Sequence, residues 1–128
     1  MKKKKMYFKV YDSIFSQLVH CLFNFSSEDY AKWLKKNKIK DTLKKENYLG
    51  WTSEIIMENN LMEIILFIPN FDWTIQNQGT MIHEITHVII KIWDKNNIPY
   101  NSDTQEFLAH SISNMFEDIA KKILKLNK

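Results

Sequence analysis

Apolar and polar positions alternate at the start of the chain. Met6, Phe8 and Val10 fall on one side and Tyr7, Lys9 and Tyr11 on the other, the period-two pattern of a short strand. From Ser13 the spacing lengthens. Ile14, Leu18, Cys21, Leu22 and Phe25, with Phe15 and Val19 beside them, recur at three- and four-residue steps and predict a helix. Ser26 and Ser27, followed by Glu28 and Asp29, form a second helix start, and Tyr30, Trp33 and Leu34 give its apolar face. The charged stretch 35–45 reads as the end of that helix plus a loop or short helix. Residues 51–58 and 61–68 are rich in Ile, Leu, Phe and Met and read as two strands. Asn59-Asn60 between them predicts a two-residue hairpin turn, because Asn tolerates positive φ. Pro69 ends the second strand, having no N–H to give to a ladder.

A further helix is expected over roughly 80–95, with Met81, Ile85, Val88, Ile89 and Ile92 as its apolar stripe. The stretch 96–102, with Pro99, breaks it. A last helix is expected from Asp103 to about Leu126, carrying Phe107, Leu108, Ile112, Met115, Phe116, Ile119, Ile123 and Leu124 at helical spacing. The fold class implied is α+β. A small antiparallel sheet or hairpin packs on the 80–95 helix and on a long C-terminal helix, in a single domain over 1–128. At 128 residues one core suffices without disulfides or a structural metal. With only two Gly and two Pro, few loops can rest on special backbone geometry.

Charge changes this picture little. The formal net charge is +3, less than the run Lys2 to Lys5 supplies alone. The remainder is near neutral, so no nucleic-acid partner is expected. The run itself predicts a solvated, frayed terminus over residues 1–5. Cys21 is the one cysteine, sits in the apolar run LVHCLF and cannot pair within the chain. A buried, inert thiol and a reducing compartment follow. Lys9 and Asp12 interrupt any apolar stretch that could serve as a signal peptide, and no apolar run reaches membrane-spanning length. The expectation is a cytoplasmic protein with no membrane partner.

The candidate chemistry lies at His83-Glu84-Ile85-Thr86-His87, an H-E-x-x-H pattern. Residues i and i+4 stand one turn apart on one helical face, so both imidazoles can reach a single metal. Glu84 lies about 100° further round the helix. There it is poorly placed as a ligand but able to act as general base on a zinc-bound water. The alternative is a pair of core histidines satisfied by hydrogen bonds. Zinc needs a third protein ligand to leave one position open. Glu106 follows His87 after eighteen residues, near the start of the last helix. It is either that ligand or the partner of Asp103 in a capping box. His110, one turn on, is a candidate to bond a ligand, to stabilise an oxyanion or to replace Glu106. Tyr100 is a second candidate for the oxyanion. His20 reads as a core residue rather than a ligand, and Trp33, Trp51, Trp73 and Trp93 as either core or exposed docking groups.

His83-Glu84-x-x-His87 with a downstream helical Glu106 resembles the gluzincin metallopeptidases. Thr104-Gln105-Glu106-Phe107-Leu108-Ala109 is loosely similar to the Asn-Glu-x-x-Ala segment that carries the third ligand in that group. The resemblance implies a Zn2+ site made of His83, His87 and Glu106. It also implies a minimal zincin fold whose sheet edge, here 61–68, pairs with an extended substrate. The extended metzincin pattern is absent, since neither Gly nor His closely follows His87. Where thermolysin-like gluzincins place an acid one turn after the ligand, this chain has His110. The chain also resembles small phage and mobile-element proteins with a short HExxH helix and a downstream Glu-x-x-Ala helix.

Two functions of different class follow. The first is a zinc metallopeptidase, a hydrolase acting on a peptide or protein substrate, with Glu84 as general base and His110 in support. The second is a non-catalytic zincin-fold protein that docks on a protein partner in a larger assembly. A toxin or antirestriction effector with the same chemistry is a third form that the residues do not separate from the first.

Overall fold

The computed structural model describes residues 3–12, 14–40 and 49–127. The elements in order are β1 (Met6–Asp12), β2 (Gln17–Phe23), α1 (Ser27–Lys36), β3 (Trp51–Ile56), β4 (Met62–Ile68), α2 (Ile75–Lys95) and α3 (Gln105–Leu126). The fold class is α+β, as the sequence predicts, but the sheet is larger and mixed. Its strand order is β1-β2-β4-β3. The pairs β1·β2 and β3·β4 are antiparallel, whereas β2 and β4 run parallel.

The helix expected from Ser13 to Phe25 is therefore a correction: most of that stretch is β2. The physical reason is burial on both faces. Val19, Cys21 and Phe23 face one core, His20 and Leu22 the other, and all five are buried. A strand covered on both sides is apolar almost continuously and loses its alternation. Its apolar residues then fit a helical spacing by chance. Asp12 Oδ2 accepts from the Phe15 N–H at 3.2 Å and Ser16 takes a φ of 55°, which turns β1 back into β2.

A second correction concerns the expected substrate-pairing strand. Residues 61–68 are largely β4, which is bonded to β2 on one side and β3 on the other. The free edges of the sheet are β1 and β3. The 51–68 hairpin is present, with one more loop residue than expected. Met57 N–H donates to Leu61 O and Asn60 N–H to Met57 O, both at 2.9 Å, and Asn60 has φ 65°. This is a three-residue loop whose left-handed residue is the asparagine.

Two cores flank the sheet. On one face Leu22, Ile65, Phe67, Trp51 and Ile55 meet Tyr30, Trp33 and Leu34 of α1. On the other, Phe8, Val19, Cys21, Ile64, Leu66 and Ile68 meet Met81, Ile85, Val88 and Ile92 of α2 and Met115, Ile119 and Ile123 of α3. The α1 start is the expected one. Ser26 Oγ accepts from Asp29 N–H at 3.0 Å and Asp29 Oδ2 accepts from Ser26 N–H at 3.1 Å, a reciprocal capping box. Of the charged stretch beyond α1, residues 41–48 lie outside the described residues.

The described lysines of the basic start have acceptors nearby. Lys3 pairs with Asp72 and Lys5 with Asp29, each at 3.3 Å, and Lys4 Nζ bonds the Leu126 carbonyl. Solvent screens exposed pairs of this kind, so each contributes little to stability. Among the described residues no helix is long and apolar enough to cross a membrane. Cys21 is fully buried, and burial pushes its thiol well above the usual range.

His20 is a core residue, as expected, but it sits on a strand. Its Nδ1 lies 2.8 Å from Tyr7 Oη and its Nε2 lies 2.6 Å from Glu63 Oε1. Burial, reinforced by Cys21 and Glu63, raises the Tyr7 pKa to about 12, so the hydroxyl keeps its proton at neutral pH. In neutral His20 the network then has one direction: Tyr7 donates to Nδ1, and Nε2–H donates to Glu63. It ties β1, β2 and β4 together across one face. His20→Leu leaves a nearly buried carboxylate and a phenol without partners. We expect it to cost about 3 kcal/mol, at the low end for breaking a buried pair, read from urea unfolding. A loss below about 1 kcal/mol, the worth of an ordinary hydrogen bond, would show that the network does not secure the sheet.

Candidate metal centre

Helix α2 divides by its period. Met81, Ile85, Val88, Ile89 and Ile92 are buried against the sheet, while His83 and His87 project from the exposed side. The helix starts at Ile75, before the expected residue 80, because Thr74 caps it. Thr74 Oγ1 accepts from Asn77 N–H at 3.3 Å, and Asp72 Oδ1 accepts from Thr74 N–H at 3.0 Å and Asn77 Nδ2 at 2.6 Å. Hydrogen bonding from the Thr74 side chain, then from Asn77 and the Thr74 N–H, with Lys3 alongside, holds the Asp72 carboxyl well below the usual carboxylate range.

The Nε2 atoms of His83 and His87 stand 3.2 Å apart, with ring planes at 81°. Two donors at the 2.0–2.1 Å zinc–nitrogen distance, with a tetrahedral angle between them, would be about 3.3 Å apart. The pair thus fits the donor spacing of zinc, and neutral imidazole is among its preferred ligands. The core-histidine alternative fails on exposure, since the His83 side chain is 68% exposed.

Glu84 is the opposite case, its side chain only 9% exposed. Oε1 accepts from Thr52 Oγ1 at 3.0 Å, and Oε2 lies 3.9 Å from His83 Nε2. Thr52 Oγ1 is also 3.2 Å from the Glu84 carbonyl oxygen. Gly50 adjoins the same carboxylate stem: a Cβ there would come within 3.1 Å of Glu84 Cγ and of Phe67 O. The sequence reading missed both residues. Gly50 carried a signal, since an isolated glycine at the start of a strand marks close approach of another group. Thr52 carried none.

Glu106 and His110 are brought together, but with each other. His110 Nε2 lies 3.3 Å from Glu106 Oε1 across one turn of α3, with both side chains largely exposed. Among the described residues no group of three His, Cys, Asp or Glu side chains is close enough to hold a metal, so Glu106 does not join the His83–His87 pair here. The capping role of Glu106 is not formed either. Helix α3 begins after Thr104, which has no side-chain cap bond, and Asp103 serves the preceding turn through its N–H to Asn101 Oδ1 at 2.9 Å.

Tyr100 is engaged elsewhere. Its hydroxyl donates to Asp94 Oδ1 at 2.7 Å, its ring stacks on Trp93, and partial burial with the Asp94 charge raises its pKa to about 12. Of the tryptophans, Trp33, Trp51 and Trp93 are core and Trp73 is partly buried.

Because both imidazoles stand off the protein surface, His83→Ala and His87→Ala should each change unfolding free energy by no more than about 0.5 kcal/mol, the usual range for surface positions. Denaturant unfolding of the metal-free protein measures this, and a loss of several kcal/mol would restore the structural reading of the pair. No protein-family model, curated protein or solved structure matches the chain.

Proposed function

We propose that this chain is a zinc-dependent peptide-bond hydrolase with a minimal zincin-like fold. The carrying observation is the 3.2 Å convergence of His83 and His87 Nε2 with the buried Glu84 carboxylate beside it. His83 and His87 would hold the metal, with Glu106 as third ligand and His110 as the hydrogen-bond partner that orients Glu106. Zinc, when bound, supplies a Lewis acid for a carbonyl oxygen and lowers the pKa of water. The chain's own part is proton handling. Glu84 takes a proton from the attacking water and passes it to the departing amine nitrogen. The free edge nearest Glu84 is β3, whose Thr52 touches the carboxylate, so an extended peptide would pair along β3.

A non-catalytic zincin-fold binding protein is the second reading. One observation favours it: Glu106 stands with His110 and outside any three-residue metal group. Glu84 discriminates between the two. Glu84→Gln should keep zinc and the fold while lowering peptide cleavage at least about 10²-fold, the low end for a positioned general base. The measurement is cleavage of a peptide library by both proteins at equal zinc occupancy. Equal rates, or no cleavage by either, would favour the binding protein.

The ligand assignment has its own test. Glu106→Ala should weaken zinc binding by more than about 100-fold, and His110→Ala by about 10-fold, as loss of an outer partner does. Competition with a chromophoric chelator measures both. The reverse order would make His110 the ligand.

A further inference from the structure

We infer that the start of β3 is a cradle for the general base: Thr52 pins Oε1 of Glu84 and Gly50 leaves room for its stem, so that Oε2 is the oxygen that carries the proton. The inference rests on the peptidase reading and adds two positioning residues to it.

Thr52 has one hydroxyl proton and two oxygens within reach. The Glu84 carboxylate oxygen is at 3.0 Å and the Glu84 backbone oxygen at 3.2 Å. The backbone oxygen lies inside α2, where the helical ladder already gives it a donor. The carboxylate is the better acceptor, being both nearer and charged. The proton of Thr52 therefore goes to Oε1. A carboxylate with one oxygen fixed has its other oxygen fixed as well, and here Oε2 is directed toward His83 Nε2, 3.9 Å away. When Oε2 takes a proton from water, Oε1 remains an acceptor for Thr52, so the cradle survives the step and no bond within it has to break.

Gly50 acts on the same side chain through space. An added Cβ would meet Glu84 Cγ and the Phe67 carbonyl oxygen, each at 3.1 Å. The carbonyl belongs to β4 at the centre of the sheet and has little freedom to yield. The Glu84 stem would have to move instead. Both constraints come from one short segment, held in register by the pairing of Trp51 with Phe67 and Thr52 with Leu66. A helix alone leaves the torsions of a glutamate side chain free. Here a neighbouring strand removes that freedom, and a misplacement near 1 Å in such a group can cost about 100-fold in rate.

A purely structural role for Thr52, satisfying a buried carboxylate, makes a different prediction from a positioning role. Thr52→Val removes the hydroxyl at nearly constant shape. With zinc-loaded full-length chain and a cleaved peptide, we expect kcat to fall about 10-fold, with KM and zinc affinity within about twofold of wild type. Thr52→Ser should restore kcat. Gly50→Ala keeps the hydroxyl and should also lower kcat at constant KM, so the test stands even where Thr52→Val does not fold. A readout independent of turnover is the carboxyl ¹³C resonance of Glu84 in zinc-free protein, which should move in Thr52→Val and not in Thr52→Ser. Wild-type kcat in both Thr52→Val and Gly50→Ala, or Thr52→Ser as slow as Thr52→Val, overturns the inference and leaves the peptidase reading intact. A wild type that binds zinc and cleaves nothing removes the peptidase reading and the positioning role together.

Discussion

Helix α2 has to pack on the sheet and present His83, Glu84 and His87 with one set of side chains, and its period makes that possible. At about 100° per residue, His83 and His87 lie within about 40° of each other. Met81, Ile85, Val88 and Ile92 lie roughly opposite and are buried. Glu84 falls between the two sets, at the boundary where helix meets strand. Its burial beside two exposed histidines is therefore a consequence of where α2 docks. A rotation of the helix by one residue would expose Glu84 or bury a histidine, so the core that Ile85 and Val88 share with Ile64 and Leu66 fixes which of these side chains meet solvent.

The platform for that docking is the parallel pair at the centre of the sheet. Ile64 to Ile68 of β4 are at most 1% exposed, with α1 on one side and α2 and α3 on the other. Parallel strands need a long connection, and the chain between β2 and β4, residues 24–61, carries α1 and β3. The Tyr7–His20–Glu63 network belongs to the same layer. A histidine on a doubly buried strand must bond at both ring nitrogens or bear a desolvation cost, and the neighbouring strands supply one partner each.

Amphipathic elements were legible in the chain because one face is wet. Helices α1, α2 and α3 each have buried residues at helical spacing, and β1 alternates cleanly. Strand β2 was misread because both of its faces are dry, which erases the periodic signal. In the site, His83, Glu84 and His87 were legible because their relation is local, one turn of helix. Thr52 acts on Glu84 across a sequence separation of 32, a relation set by tertiary packing with no trace in local pattern. The acceptors near Lys3 and Lys5 left no local trace for the same reason. Asp72 and Asp29, which receive Lys3 and Lys5, are distant in sequence and close only after folding.

The start of α3 is held at the far end of α2. Tyr100 stacks on Trp93 and donates to Asp94, and Phe107 packs on the same indole with ring centroids 5.4 Å apart. These contacts fix the height at which α3 begins. Glu106 and His110 then stand at heights determined by a rise of about 1.5 Å per residue, whatever their rotamers. What stays adjustable is side-chain torsion, and both residues are exposed enough for that torsion to be cheap. A contact of 3.3 Å between two exposed groups, such as that of Glu106 with His110, is weak, so neither side chain is locked to the other. The two stay within reach of each other, because they are one turn apart on the same helix. The tryptophan clamp, which includes Phe107 next to Glu106, thus sets where on α2 the start of α3 is held.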